Sequence, residues 1–249
     1  MSEKRSITEP QDPWLRSRQL LGATALTQLA NSRVLVAGLG GVGSFAVEAL
    51  ARSGIATLTL VDGDIVTLSN LNRQLLALHS TLGELKTAVA ARRLAAINPA
   101  CQVTTISDWV TPANAVSFLD GSLAPTPHWL VDAIDDLPAK AALLAAAVTL
   151  GVKVVSVLGT GNRISPLAQF TVTDISQSHT CPVARALRRR LLRDYGLNSG
   201  ITVVFSPLPP LPANPQREEN SRVGSVSYIP GQAGLIAAGV VITALAAEG

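Results

Sequence analysis

The chain has 249 residues, 47% of them hydrophobic, 15% charged and 4% aromatic, with a formal charge of +3 and a pI near 9.2. That length suits one generous α/β domain, or one domain with an appended segment. The composition excludes global disorder and calls for a core built from Ala, Val, Leu and Ile, while the mild positive balance is compatible with an anionic ligand or a nucleic acid.

The two cysteines, Cys101 and Cys181, lie far apart and form no C-x-x-C pair, which argues against a structural zinc site. Residues 1–13 are polar, with Pro10 and Pro13, and read as a flexible leader without a signal-peptide core. The expected compartment is the cytoplasm, with both thiols reduced.

Residues 14–30 read as a helix broken near Gly22, followed by the short strand RVLVA at 33–37. A glycine cluster leads into a helix at 44–53, and TLTLV at 57–61 is the second strand, closed by Asp62. A helix starting near Leu82 is expected to stop before Asn98-Pro99. Strands at 102–106, 129–133 and 152–158 follow, with a helix at 137–150. Beyond them come a strand at 169–174, a strongly basic helix at 181–194, a mobile Pro-rich loop at 207–222 and an apolar helix at 233–247. The expected fold is α/β: a Rossmann-like, doubly wound, mainly parallel sheet over 14–166, with 167–249 as a C-terminal extension of the same domain.

Gly38-Leu39-Gly40-Gly41-Val42-Gly43 matches G-x-G-x-x-G between a strand and a helix. Its glycines allow close backbone approach to phosphate, and the helix N-terminus supplies free N–H donors. Asp62 ends the next strand, where it can accept bonds from ribose hydroxyls. This much fits a dinucleotide, ATP, or a glycine turn with no ligand. The following block, Ser69-Asn70-Leu71-Asn72-Arg73-Gln74, favours a triphosphate, because Asn70 and Arg73 can bind phosphate oxygens. Lys86 in GELK falls near a helix start, and Asp132 and Asp135 close the strand WLVDAID, where either acid can help bind Mg²⁺. Asp136 suits the N-cap of the next helix and leaves Asp135 available.

The set RSRQLLG (16–22), VLVAGLGGVGS (34–44), TLVDGD (59–64), SNLNRQ (69–74), GELK (83–86) and DAIDD (132–136) resembles the E1-like superfamily of ThiF and MoeB adenylyltransferases and ubiquitin activators. The resemblance implies adenylation of a carboxylate with ATP and Mg²⁺. It makes Gly38, Gly40, Gly41 and Gly43 the nucleotide loop and Asp62 the ribose acid. It makes Asn70, Arg73 and Lys86 phosphate contacts, Asp135 the magnesium acid, and Arg18 an arginine that reaches the partner's ATP across a homodimer.

Sulfur-carrier activators of this superfamily usually carry C-x-x-C zinc pairs, which are absent, as is the long catalytic-cysteine domain of ubiquitin activators. The segments ALARSGI (49–55), AAINPACQVT (95–104), VTPANA (110–115), VDAIDDLPAKAAL (131–143), VLGTGNRISP (157–166), CPVARALRRRL (181–191) and GSVSYIPGQAGLIAAG (224–239) are similar to bacterial tRNA threonylcarbamoyladenosine dehydratases. That family activates the carboxylate of the threonylcarbamoyl group on the adenosine beside the tRNA anticodon, after which internal attack closes a ring and expels AMP. Such chemistry needs no catalytic Cys, Ser or His, and Cys181 reads as a small apolar residue packed beneath the basic helix. Sulfur-transfer proteins remain open as further partners, and activation of a small sulfur-carrier or ubiquitin-like protein is the alternative.

Arg185, Arg188, Arg189, Arg190 and Arg193 fall within nine residues, and all but Arg190 share one helical face, a candidate phosphate-binding stripe for tRNA. The apolar stretch 233–247 is short for a bilayer span and is expected to be a buried or interfacial helix rather than a membrane anchor.

Overall fold

The computed structural model describes residues 12–165, 169–212 and 223–248. The leader at 1–11 and the charged part of the Pro-rich loop at 213–222 lie outside the described residues.

Seven strands form one sheet: β1 (Arg33–Ala37), β2 (Thr57–Val61), β3 (Gln102–Ile106), β4 (Trp129–Asp132), β5 (Lys153–Val157), β6 (Thr171–Asp174) and β7 (Thr202–Phe205). Their order is β3-β2-β1-β4-β5-β7-β6, all parallel except β6, which runs antiparallel to β7. The order reverses between β1 and β4, the switch point at whose carboxyl edge open α/β sheets carry a ligand-binding crevice.

The strands read as buried on both faces because both are covered by helices. Along β1, Val34 and Val36 point into one core with Val47 and Leu50 of α3 (Gly43–Arg52) and Ala237 and Val241 of α7 (Tyr228–Ala246). Leu35 and Ala37 point into the other, with Leu143 and Leu144 of α5 (Leu137–Leu150) and Leu187 and Leu191 of α6 (Pro182–Tyr195). The remaining helices are α1 (Leu15–Leu21), α2 (Ala23–Ala30) and α4 (Lys86–Ile97).

Three departures from the sequence expectation have physical reasons. First, α4 begins at Lys86 rather than near Leu82, because Gly83 takes φ +85° and the preceding residues pair with 64–66. Gly83 N–H donates to Val66 O (2.9 Å), Val66 N–H to Glu84 O (2.8 Å) and Lys86 N–H to Asp64 O (3.0 Å). Second, β7 was not expected; its four residues gain their ladder from β5 and β6 rather than from local pattern. Third, α7 starts at Tyr228 and not Ala233, with Pro230 accommodated in the first turn, where its missing N–H leaves no helix bond unmade. By length and composition α7 would suffice to cross a membrane, but half of it is buried in the protein, as a core helix is.

Candidate active site

The glycine loop joins β1 to α3. A Cβ on Gly43 would sit 1.7 Å from Gly38 O, so only glycine closes this turn. Gly38 itself has φ +86° and backs onto Ala133 O, which a Cβ would approach to 2.8 Å. The loop after β1 is thereby locked against the loop after β4. Gly40, in contrast, faces open space: a Cβ there would meet nothing nearer than Gln74 Nε2 at 3.8 Å. Gln74 Oε1 is buried and has no hydrogen-bond partner among the described residues. An open cradle beside an unsatisfied polar side chain fits a polar ligand lying over the loop. A Cβ on Gly41 would lie 3.4 Å from Arg73 Cγ, which puts Arg73 against the same loop.

Asp62 ends β2 beside this loop. Its Oδ2 accepts from Leu39 N–H (2.6 Å) and its Oδ1 from Asp64 N–H (2.8 Å). Burial pushes its carboxyl above the ordinary Asp value, against the pull of Lys86 and of the two backbone donors. Lys86, the first residue of α4, is buried, with Nζ 2.6 Å from Asp64 Oδ2 and 3.9 Å from Asp62 Oδ1. The short pairing of Ile65 with Leu85 fixes this approach, because it ties the GELK segment to the segment after β2.

Asn70 is buried in a one-turn 3₁₀ helix (Leu68–Asn70), where its Oδ1 accepts from Thr67 N–H (3.1 Å). Arg73 donates to Ser69 O (2.8 Å) and Asn72 Oδ1 (3.0 Å), contacts that hold the guanidinium but leave it half-buried at the loop. The acids after β4 divide clearly. Asp132 is fully buried and ion-paired to Lys140 (2.8 Å), which removes it as a metal ligand. Asp136 caps α5 by accepting from Ala139 N–H (2.8 Å). Asp135 is exposed between them, and a single carboxylate together with phosphate oxygens suits Mg²⁺.

Arg18 lies on α1, exposed and paired with Asp12 at 3.0 Å. The arginines of α6 do not form the uniform stripe expected. Arg188 turns back onto the Ser178 carbonyl and hydroxyl. Arg193 makes a two-pronged contact with Asp194 (2.6 and 2.9 Å), and Arg190 pairs with the same acid (3.3 Å). Arg185 and Arg189 are exposed and pair with no carboxylate among the described residues. Cys181 is buried at the N-cap of α6 in the core with Ala184 and Leu187.

Sequence reasoning passed over Arg163 as an individual residue. It is buried, donates to Gly159 O (3.3 Å), Ser206 Oγ (3.1 Å) and the Leu208 carbonyl, and has no carboxylate partner among the described residues. Burial lowers its pKa while Cys181 acts in the opposite sense. It fastens the loop after β5 to the segment after β7. The only signal was an arginine after two glycines in VLGTGNRISP.

This crevice, glycine loop and buried lysine belong to a defined class: the model of the ThiF family matches residues 15–248, and the chain is a member of that family. Within it, the Bacillus subtilis (strain 168) tRNA threonylcarbamoyladenosine dehydratase is 36% identical over 239 residues, covering 91% of this chain and 92% of the relative. The E. coli tRNA N6-threonylcarbamoyladenosine dehydratase in complex with ATP superposes with a TM-score of 0.86 at 33% identity, covering 95% of this chain and 94% of that one. A more distant relative, the adenylyltransferase and sulfurtransferase UBA4 of Saccharomyces cerevisiae (strain YJM789), is 32% identical over 160 residues, 64% of this chain but 34% of the relative.

Proposed function

We propose that the chain is an ATP-dependent dehydratase acting in the cytoplasm on tRNA that carries threonylcarbamoyladenosine beside the anticodon. The observation that carries this reading is the end-to-end similarity to dehydratases of that name, one of them crystallised with ATP. The geometry agrees. The backbone of Gly38, Gly40, Gly41 and Gly43 cradles phosphates at the N-terminus of α3. Asp62 holds the ribose hydroxyls, while Asn70, Arg73 and Lys86 hold phosphate oxygens. Asp135 would hold magnesium, which would neutralise phosphate charge. Arg18 completes the site of the partner in a homodimer. The apolar groove of about 460 Å³ along Phe45, Tyr228, Gly231, Gln232, Leu235 and Ile236 gives such a dimer a surface to bury.

The chemistry follows in two displacements. A carboxylate oxygen of the substrate attacks the α-phosphorus of ATP and pyrophosphate leaves, giving an acyl adenylate. An atom of the same threonylcarbamoyl group then attacks the acyl carbon, AMP leaves with the former carboxylate oxygen, a proton of the threonylcarbamoyl group is released, and the ring closes with net loss of one water from the nucleoside. The nucleophile comes from the substrate, so the protein holds two groups in register and stabilises charge at the α-phosphate. Activation of a carrier protein fits less well, since the match to such an enzyme covers a third of its length. Sulfur-transfer partners would act beside this reaction rather than in it. The deciding experiment incubates the protein with ATP, Mg²⁺ and tRNA with and without the modified base, then digests the tRNA. The reading requires AMP release and the loss of one water from the nucleoside only with modified tRNA; AMP formation only with a sulfur-carrier protein would overturn it.

A further inference from the structure

A lysine stands alone in an otherwise apolar helix. Lys140, on α5, is 1% exposed, and its partner Asp132, at the end of β4, is 0% exposed. A buried charge pair of this kind is a weak source of stability, and hydrophobic residues of similar volume often replace one without loss. Its bonding instead converges on one short segment. Asp132 Oδ2 accepts from Lys140 Nζ (2.8 Å) and from Ser156 Oγ (2.6 Å), while Oδ1 accepts from Ile134 N–H (3.2 Å). Lys140 Nζ also donates to Ile134 O (2.9 Å). Both backbone polar groups of Ile134 are therefore held from below, one by each member of the pair. On the other side of Asp135, the Asp136 side chain is fixed as the cap of α5. One residue before Ile134, Ala133 O backs onto Gly38. Asp135 is exposed and, unlike Asp132 and Asp136, carries no hydrogen bond or ion pair among the described residues, while the residues flanking it on both sides are fastened.

We infer that Lys140 is a positioning residue: with Asp132 and Ser156 it sets the 133–135 segment and so orients the Asp135 carboxylate that would hold magnesium. The inference rests on the reading of Asp135 as the magnesium acid. Partners that orient a ligating carboxylate act on metal affinity without touching the metal. Nucleotide binding in the absence of metal should change little, because the proposed nucleotide contacts Gly38–Gly43, Asp62 and Lys86 make no bond to Lys140, Asp132 or Ser156.

The test measures ATP affinity by titration calorimetry, with Mg²⁺ and with EDTA, and takes the ratio of the two dissociation constants. The single variant Lys140→Met leaves Asp132 buried without its counter-charge and risks misfolding. The main variant is therefore the double change Asp132→Asn with Lys140→Met, which removes both charges at nearly constant volume. It is expected to melt close to wild type and to bind ATP unchanged in EDTA. The tightening by Mg²⁺ should fall by about tenfold or more. Ser156→Ala keeps both charges and should give a smaller loss in the same ratio, which keeps the test open if the double variant does not fold. Asp135→Asn reports on the underlying reading: if it keeps the full Mg²⁺ effect, that reading fails and the inference with it. If Asp135→Asn loses the effect while the folded double variant, or Ser156→Ala in its place, keeps all of it, the reading stands and the positioning role is overturned.

Discussion

Lys86 Nζ lies 2.6 Å from Asp64 Oδ2, and the two meet because a short antiparallel bridge between Ile65 and Leu85 brings the start of α4 to the end of β2. The Asp64 side chain is 47% exposed, so it can swing away, whereas the lysine is 5% exposed and has nowhere to go. An arriving phosphate can therefore take Asp64's place at an ammonium that is already positioned. Replacing Lys86 by Ala should lower adenylation by about 10²-fold, the scale expected for one preorganised charge at the developing transition state. Pyrophosphate release at saturating substrate measures this. Near-normal turnover in a folded variant would remove Lys86 from the phosphate site.

Asp62 offers a test that reads stability and binding separately. Burial raises its carboxyl above the ordinary Asp value. A raised folded-state pKa means that ionisation costs stability: the favourable contribution is complete below the unfolded-state value and is lost as pH rises through the folded-state value. At neutral pH the protein bears that cost. Asp62→Asn removes that cost but sets its amide NH2 against one of the two backbone donors, so the melting temperature of the ligand-free variant relative to wild type should be most favourable near pH 7. It should become less favourable on acidification toward the ordinary Asp range, where the wild-type carboxyl is itself neutral. If Asp62 holds the ribose as proposed, the same change should weaken ATP binding. Thermal melts of both proteins between neutral and mildly acid pH, each with and without ATP, check both halves; a difference in melting temperature that does not change with pH would contradict the desolvation argument.

Much of this arrangement was legible in the sequence because it depends on local pattern. The strands β1, β2 and β3 are short runs rich in β-branched residues, and their limits coincide with expectation. The N-cap role of Asp136 also followed from local spacing. What escaped depends on distant partners. The start of α4 is set by residues twenty positions earlier, and β7 by strands on either side of it. The split between Asp132 and Asp135 was open because nothing in WLVDAID says which acid finds Lys140 beneath the sheet edge. The lone lysine within LPAKAALLAAAV was the available signal.

Arg18 tests the composite site. If Arg18 serves the ATP of the other subunit, Arg18→Ala and Lys86→Ala are each nearly inactive as homodimers. An equal mixture that exchanges subunits forms heterodimers with one intact site, restoring about a quarter of wild-type activity under random pairing in a two-fold dimer. Activity assays are read against native mass spectra that show exchange. Complete exchange without recovery would leave Arg18 as a surface residue paired with Asp12.

The basic helix gives the last prediction, and the structure sharpens which arginines it concerns. Arg193 and Arg190 share the charge of Asp194, and Arg188 is turned onto Ser178. Arg185 and Arg189 stand exposed one helical turn apart, with no carboxylate on either among the described residues. Their opposite face carries Ala184, Leu187 and Leu191 into the core, so the helix is anchored while these two charges face water. If they meet tRNA phosphates, changing both to Gln should weaken tRNA binding and leave ATP affinity intact, because the proposed ATP site is the glycine loop between β1 and α3, whereas α6 lies between β6 and β7 in the chain. Each lost phosphate contact lowers the salt slope of binding by about 0.7 to 0.9, so two contacts lower it by roughly 1.4 to 1.8. KM for tRNA should rise more than kcat falls, since substrate forced in at high concentration is still activated. Arg193→Gln is the internal comparison: its charge is already balanced by Asp194, and its effect on the slope should be the smaller. Titrations of tRNA over a range of salt concentrations decide the matter, and an unchanged slope in the double variant would show that this face of α6 is only solvated.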